Sequence, residues 1–276
     1  MFRAVRFCSA DFHQVIAPAP AYCSSNSTRL EHHVSELAHR LLKKYYADSD
    51  HPYRFFERQV NSLLSSDTVL LDAGCGRTVP VLRSYLGRAA RLIGVELVEF
   101  TDVPDGIECF NTDLSAVPLP DGCVDLIMSR SVFEHLADPA AVYSEFARLL
   151  KPRGRIVFLT ANLWDYGTVI ARMVPNRFHA GLVAKFEGRA EEDVFPTQYK
   201  TNSQNDVKRL ARHAGLEVED FRYLSQYPNY LLFNGPLFFL GTCYEKLISR
   251  FDCLAFLRGW ILVTLRKPGA AAGVTP

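Results

Sequence analysis

Short, almost wholly apolar runs alternate with longer segments whose apolar residues recur at helical spacing. Runs that are apolar at nearly every position are typical of strands buried on both faces of a parallel sheet. The intervening segments are long enough for crossover helices, so the pattern indicates an α/β domain. The predicted strands cover residues 69–72, 92–95, 106–110, 124–130, 155–160, 216–223 and 260–266, and helices are predicted at 138–150 and 203–214.

Acidic and glycine residues stand where the first two of these strands end. Asp72 closes the first run and is followed at once by Gly74 and Gly76, which allow backbone to approach a ligand closely. The second run ends in Glu96, whose carboxylate can accept hydrogen bonds from both hydroxyls of a ribose. Together these residues indicate a nucleoside-bearing cofactor lying across the ends of two neighbouring strands.

The loop after the first strand favours a cofactor other than a dinucleotide. The dinucleotide fingerprint needs a third glycine where this chain has Val79, followed by Pro80. A carboxylate at Asp72 would repel a pyrophosphate, whereas it would attract a cation such as the amino group of a methionine moiety.

Five motifs in order extend this pattern along the chain. They are Leu71-Asp72-Ala73-Gly74-Cys75-Gly76, Gly94-Val95-Glu96, Asp113-Leu114, Asp125-Leu126-Ile127 with Phe133-Glu134-His135-Leu136, and Leu149-Leu150-Lys151-Pro152-Arg153-Gly154. With these motifs the sequence resembles the class I S-adenosylmethionine-dependent methyltransferases, most closely the quinone-biosynthesis and small-molecule branch of the methyltransferase type 11 kind. The resemblance covers about residues 68–162, with a weaker match through 201–223 and 260–266.

The resemblance implies a Rossmann-like, seven-stranded α/β sheet flanked by helices, with S-adenosyl-L-methionine as cofactor. It implies that Asp72 holds the methionine amino group, that Glu96 takes the ribose hydroxyls and that Asp113 with the Leu114 amide recognises adenine. The Arg130 carbonyl is expected to accept from the methionine ammonium. The full expected cofactor set is Asp72, Ala73, Gly74, Gly76, Glu96, Leu97, Asp113, Leu114 and Arg130. For each acidic residue the alternative is a helix cap or a solvated turn.

Catalytic and metal-binding residues are less clearly indicated. His135 is the first candidate for a general base, because an imidazole titrates near neutral pH; a capping or supporting histidine is the alternative, and His179 is the second candidate. Related quinone methyltransferases bind a metal with a Glu-His pair and an acidic residue that is Ser131 here, so no metal is expected. The seven cysteines form no C-x-x-C pair, which indicates reduced thiols and a cytoplasmic protein.

The loop departs from the family pattern at Thr78, which stands where a further glycine is common. We expect Thr78 to act as the N-cap of a helix with Pro80 in its first turn. A second departure is Arg153, where the family usually has glycine, in a turn that we expect to lie far from the cofactor.

We expect one methyltransferase domain, residues 28–267, between flexible tails at 1–27 and 268–276. Within it we expect N-terminal helices (28–66), the cofactor-binding core (68–162), a lid insertion after strand five (163–200) and an apolar insertion between strands six and seven (227–259). The first helix is predicted to start at Thr28, which forms a capping box with Glu31. The lid is long enough to be functional, and the apolar stretch is too short and interrupted for a membrane span.

The resemblance implies methyl transfer to a small or lipid-like acceptor, and we expect oxygen as the methylated atom. The formal net charge of +1 gives no electrostatic case for nucleic acid as a partner. Three interpretations of the apolar insertion stay open: packing on the core, an acceptor pocket or homodimer face, and peripheral membrane contact through 230–250. The alternative functions are a nicotinamide-dependent oxidoreductase and a catalytically silent binding protein of the same fold.

Overall fold

A computed structural model describes residues 35–173 and 196–269. Its centre is a seven-stranded sheet. The strands are β1 (Val69–Ala73), β2 (Arg91–Glu96), β3 (Ile107–Asn111), β4 (Val124–Arg130), β5 (Leu150–Ala161), β6 (Glu217–Leu224) and β7 (Trp260–Arg266). They lie in the order β3-β2-β1-β4-β5-β7-β6. Strands β1 to β5 are mutually parallel, and β7 runs antiparallel to both β5 and β6. The Rossmann-like α/β prediction is therefore confirmed.

Helices cover both faces of the sheet, and polar caps fix where several of them begin. Asp138 accepts from the Ala141 amide and Ser203 from the Asp206 amide, so the predicted starts of these two helices are confirmed. Within the described residues the helices are α1 (Glu36–Tyr45), α2 (Pro52–Leu63), α3 (Pro139–Leu149), α4 (Tyr166–Met173), α5 (Gln204–His213) and α6 (Gly235–Arg250). The predicted helix start at Thr28, the candidate His179 and lid residues 174–195 lie outside the described residues.

The segment after the glycine loop differs from the prediction. No α-helix follows Thr78; the chain makes tight turns and one short 3-10 helix, Leu82–Tyr85. Val79 has φ +47°, and its amide donates to the Gly76 carbonyl at 3.1 Å. The ring of Pro80 disfavours the helical conformation in the residue before it, which explains why Thr78 caps no helix.

Strand β5 is longer than predicted, because the turn expected at 151–154 belongs to it. Arg153 has φ +67°, and its amide donates to the Lys267 carbonyl at 3.0 Å. A Cβ on Gly154 would lie 2.9 Å from the Lys151 carbonyl oxygen and 3.1 Å from that of Asp125. Glycine is needed there for the close approach of backbone, while Arg153 lies at the amino end of β5, away from the motif residues.

The core has two layers, one on each face of the sheet. On one face the ring of Phe133, which follows β4, stacks on that of Phe158 in β5 with centroids 3.9 Å apart. Aromatic stacking and burial together fix the turn after β4 against the sheet. In the part of the chain that the structure describes, no helix is long and apolar enough to cross a bilayer.

Arg148 on α3 anchors the irregular segment before β4. Its guanidinium donates to the carbonyls of Leu119 (2.8 Å) and Val117 (3.0 Å) and pairs with Asp121 (2.6 Å) and Glu145 (2.7 Å). Glu145 in turn accepts from the Val117 amide at 2.8 Å. The segment that follows Asp113 and Leu114 is thus held to α3 by the side chains of Arg148 and Glu145.

Arg148→Ala should lower the free energy of unfolding by about 1–2 kcal/mol, since hydrogen bonds to charged groups are strong but this side chain is partly exposed. Urea denaturation measures the change. The matched control is Arg209→Ala, which removes an exposed arginine paired with an acid three residues earlier, Asp206. The control should lower the free energy of unfolding by only about 0.3–0.5 kcal/mol. Equal decreases in the two variants would contradict the anchoring role of Arg148.

Candidate functional site

The predicted cofactor residues lie at one edge of the sheet, where the carboxyl ends of β1 to β4 meet. Asp72 and Ala73 end β1, Glu96 ends β2, and Arg130 ends β4. Asp113 and Leu114 follow β3. In open α/β sheets this edge is where ligands bind.

The loop after β1 is folded back onto the end of β2. The amides of Gly74 and Cys75 both donate to the Val95 carbonyl, at 2.9 and 3.2 Å. Gly74 has φ +76°, and a Cβ there would lie 2.3 Å from a methyl carbon of Val132, so no other residue fits. Gly76 has φ +75°, which also favours glycine.

The Glu96 carboxylate connects this loop to the residue that directly follows β2. One carboxylate oxygen accepts from the Gly76 amide at 2.8 Å and the other from the Leu97 amide at 2.8 Å. A carboxylate offers about four acceptor positions, so both oxygens can still accept from a ligand. Next to it, Leu97 is 54% exposed and provides an apolar surface at this edge of the sheet.

Asp72 is a buried carboxyl group next to Glu96. It is only 4% exposed, and its Oδ2 atom is enclosed without a hydrogen-bond partner. Burial raises the pKa of Asp72 to about 7; the Arg130 charge opposes this rise and the Glu96 charge adds to it. An enclosed carboxyl with an unmet acceptor suits a ligand that brings a positive charge and N–H donors.

Asp113 organises the turn after β3. Its Oδ1 accepts from the amide and the hydroxyl of Ser115, at 2.7 and 2.5 Å. The Thr112 amide donates to the Glu96 carbonyl at 3.0 Å, which places this turn beside the end of β2. The structure therefore brings Asp72, Gly76, Glu96 and the Asp113 turn together at this edge of the sheet.

The Arg130 side chain was not anticipated by the sequence reasoning, which assigned a role only to its carbonyl. Its guanidinium lies 4.2 Å from the ring centroid of Tyr53 on α2. Further rings continue from Tyr53 through His51 and Tyr227 to Tyr46, with centroids 4.8, 6.1 and 5.9 Å apart. Helical spacing alone could have marked Tyr46 and Tyr53 only as packing residues, because their neighbours come from distant segments.

His135 lies in the 3-10 turn after β4 (Phe133–His135), with its Nδ1 3.3 Å from the Pro196 carbonyl oxygen. A carbonyl only accepts, so this contact requires the proton on Nδ1. Glu134 beside it is buried and accepts from the Thr160 hydroxyl. Among residues 35–173 and 196–269, no three His, Cys, Asp or Glu side chains are grouped so as to hold a metal ion.

Comparison with known proteins identifies the domain. Residues 71–158 match the family model described as a methyltransferase domain. The chain is 27% identical over 223 residues to the 27-O-demethylrifamycin SV methyltransferase of Amycolatopsis mediterranei, covering 72% of this chain and 77% of that protein. It is 27% identical over 169 residues to the ubiquinone biosynthesis O-methyltransferase of Thiobacillus denitrificans, covering 58% and 68%. It spans only 31% of a further relative, an uncharacterized 37.1 kDa protein in transposon TN4556 of Streptomyces fradiae.

A solved structure agrees with the fold. The geranyl diphosphate C-methyltransferase of Streptomyces coelicolor, crystallised with S-adenosyl-L-homocysteine, aligns with a TM-score of 0.50 at 18% identity over 78% of this chain and 76% of that one. The ordered motifs, the strand order and the matching methyltransferase domain lead to one conclusion. Residues 71–158 carry a methyltransferase domain, and the findings support a class I S-adenosylmethionine-dependent methyltransferase with S-adenosyl-L-methionine as cofactor.

Proposed function

We propose that this protein transfers the methyl group of S-adenosylmethionine to an oxygen atom of a small or lipid-like hydroxylated acceptor. The observation that carries the proposal is the enclosed, partnerless Oδ2 of Asp72 beside the Glu96 carboxylate, at the carboxyl ends of β1 and β2. The choice of oxygen is supported by the two relatives described above, a 27-O-demethylrifamycin SV methyltransferase and a ubiquinone biosynthesis O-methyltransferase.

Each polar group at this edge has a role that its geometry supports. Asp72 binds the cofactor ammonium, and Glu96 accepts from the ribose hydroxyls while keeping the Gly76 and Leu97 amides in place. Leu97 and Leu114 cover the adenine, whose polar edge meets Asp113 and the Leu114 amide. Bound adenosylmethionine supplies an activated methyl group on a sulfonium, so the protein has mainly to align the acceptor and exclude water.

His135 is the proposed general base for the acceptor hydroxyl. The tautomer that donates from Nδ1 to the Pro196 carbonyl has its lone pair on Nε2, the form a base requires. The same hydrogen bond would serve a purely structural histidine equally well, and the pH profile of His135→Gln separates the two roles.

Two alternative functions give different outcomes with labelled cofactors. A nicotinamide-dependent oxidoreductase is disfavoured by the enclosed Asp72 carboxyl, which would repel a pyrophosphate, and it requires NAD binding. A silent binding protein would take up adenosylmethionine without transferring its methyl group. Methyl transfer to any acceptor excludes the silent protein.

Adenosylmethionine affinity should rise with pH around neutrality. The raised pKa of Asp72, about 7, leaves this carboxyl mostly protonated at pH 6 and half ionised at pH 7. Since the ammonium binds the ionised form, affinity should increase roughly fivefold from pH 6 to pH 7. Calorimetric titration at both pH values tests this. The isosteric control Asp72→Asn should bind more weakly and show no such dependence; a pH-independent wild type would refute the role of Asp72.

Glu96→Ala should weaken adenosylmethionine binding by roughly 1.5–3 kcal/mol, the usual range for hydrogen bonds to a charged group. The variant should stay folded, because Glu96 is a half-buried residue at a strand end. Glu99→Ala removes an exposed carboxylate from the same loop and should leave affinity unchanged. Unchanged affinity in folded Glu96→Ala, measured by calorimetry, would remove Glu96 from the site.

The outer face of α6 supports peripheral membrane contact as part of this function. Leu237, Phe239, Leu240 and Leu247 are all exposed, and Leu240 is 63% exposed. The only acidic residue of α6, Glu245, is buried, whereas Lys246 and Arg250 are exposed beside these apolar side chains. An apolar face flanked by basic residues and free of carboxylates suits an anionic lipid surface, from which a lipid-like acceptor could be taken directly.

Leu240→Glu with Leu247→Glu should abolish binding to vesicles that contain anionic lipid, while wild type should co-float with them. Flotation of both proteins measures this. Leu86→Glu, an exposed apolar residue remote from α6 in the sequence, is the control and should bind as wild type does. If the wild-type protein does not float with the vesicles, the membrane proposal is wrong. If light scattering shows that the wild type is a dimer and the double variant a monomer, this face of α6 serves self-association instead.

A further inference from the structure

The inner face of α6 contains polar groups that the cofactor site does not use. Glu245 is 2% exposed and Thr242 is 3% exposed, one helical turn apart on the same face. The Glu245 Oε2 atom is enclosed and has no hydrogen-bond partner. The hydroxyls of Thr242 and Tyr46 are enclosed beside it and interact with each other. An enclosed carboxylate oxygen without a partner, next to two enclosed hydroxyls, suits a polar ligand that donates to it.

Aromatic rings surround this group. The Tyr46 ring meets Phe238 and Tyr227 edge-on, with centroids 6.4 and 5.9 Å apart. Tyr166 on α4 meets Tyr244 on α6 at 5.5 Å. The faces of such rings carry a negative quadrupole and attract cations.

The charges around Glu245 are predominantly acidic. Asp165 acts on it through its charge, although Asp165 itself caps α4 by accepting from the Gly167 amide at 3.0 Å. Burial, and then the Asp165 charge, raises the pKa of Glu245 to about 8. The Lys246 ammonium lies over the Tyr46 ring, with its Nζ 4.8 Å from the ring centroid, and donates to the Tyr45 carbonyl. Within the described ranges neither Glu245 nor Asp165 forms an ion pair with a Lys or Arg.

We propose that Glu245, Thr242 and Tyr46 form a subsite for a protonated amino group of the methyl acceptor. The inference rests on the proposed function and narrows its acceptor to hydroxylated amines. A cation satisfies the enclosed carboxylate and is attracted by the rings and by Asp165, whereas an anion would be repelled by both acids. A neutral hydroxyl would gain little from the charges.

A series of ring contacts, described above, joins the subsite to the cofactor edge. Tyr46, Tyr227, His51 and Tyr53 lead from Glu245 to the Arg130 guanidinium at the end of β4. An acceptor held by its amino group at Glu245 would lie along these rings, with its far end directed towards the strand ends.

Three probes of similar size test the proposal by calorimetry on the full chain: tyramine, 4-ethylphenol without the amine, and 3-(4-hydroxyphenyl)propionate with the opposite charge. Tyramine should bind at least about tenfold more tightly than the other two. Glu245→Gln should remove that advantage and leave 4-ethylphenol binding unchanged, while Glu36→Gln, an exposed acid on α1, should change nothing. At pH 7 tyramine should release a proton from Glu245, so its binding heat should differ between phosphate and Tris buffers; this difference should vanish in Glu245→Gln.

Equal affinity for the three probes, absence of binding by all of them, or unchanged tyramine affinity in Glu245→Gln would overturn the proposal. Thr242→Val, which should weaken tyramine binding severalfold, provides the same test if Glu245→Gln is unfolded. Adenosylmethionine titration of the same samples separates the two levels. If the wild type binds adenosylmethionine but does not prefer tyramine over the other two probes, only the subsite is rejected. If the wild type does not bind adenosylmethionine, the proposed function is rejected.

Discussion

The Glu96 carboxylate makes the contact on which the geometry of the cofactor edge depends. By accepting from the Gly76 and Leu97 amides at once, it holds the glycine loop of one strand against the end of the next. The Val95 carbonyl reinforces the same junction by accepting from Gly74 and Cys75. Backbone amides of a loop that would otherwise be exposed are thereby satisfied. Asp72 is enclosed beside this junction, where the Arg130 and Glu96 charges act on its carboxyl.

Local sequence patterns predict the strands well, because strands depend on short-range features, and they place the candidate cofactor residues at strand ends. Apolar runs interrupted by Gly and Asp mark β1 and β2, and side-chain caps such as Asp138 and Ser203 mark helix starts. The turn at Thr78 was mispredicted because Pro80 changes the conformation of Val79, an effect that outweighs the N-cap preference of threonine. Long-range features escaped prediction. The Arg130–Tyr53 contact and the group around Glu245 join segments that no spacing rule connects.

Helix α6 mixes polar and apolar residues on its buried face. Thr242 and Glu245 lie there with Phe238 and Ile248, while Leu237, Leu240 and Leu247 are exposed. Sequence periodicity could not reveal which apolar positions face outward, because apolar positions are ordinarily assigned to the core side. The helix packs on the domain through its buried face, and this orientation also places a carboxyl and a hydroxyl group near the Tyr46 ring.

The antiparallel strand β7 has a consequence for how the chain folds during synthesis. It pairs with β5 on one side and β6 on the other, with Ala161 opposite Trp260. At a ribosomal rate of about 5–20 residues per second, the intervening hundred or so residues take roughly 5–20 s to emerge. Throughout that interval the free edge of β5 exposes unpaired amides and carbonyls, a state prone to pairing with other chains. The nascent protein therefore has a window of aggregation risk that closes only when its last strand arrives, although β1 to β4 are already complete.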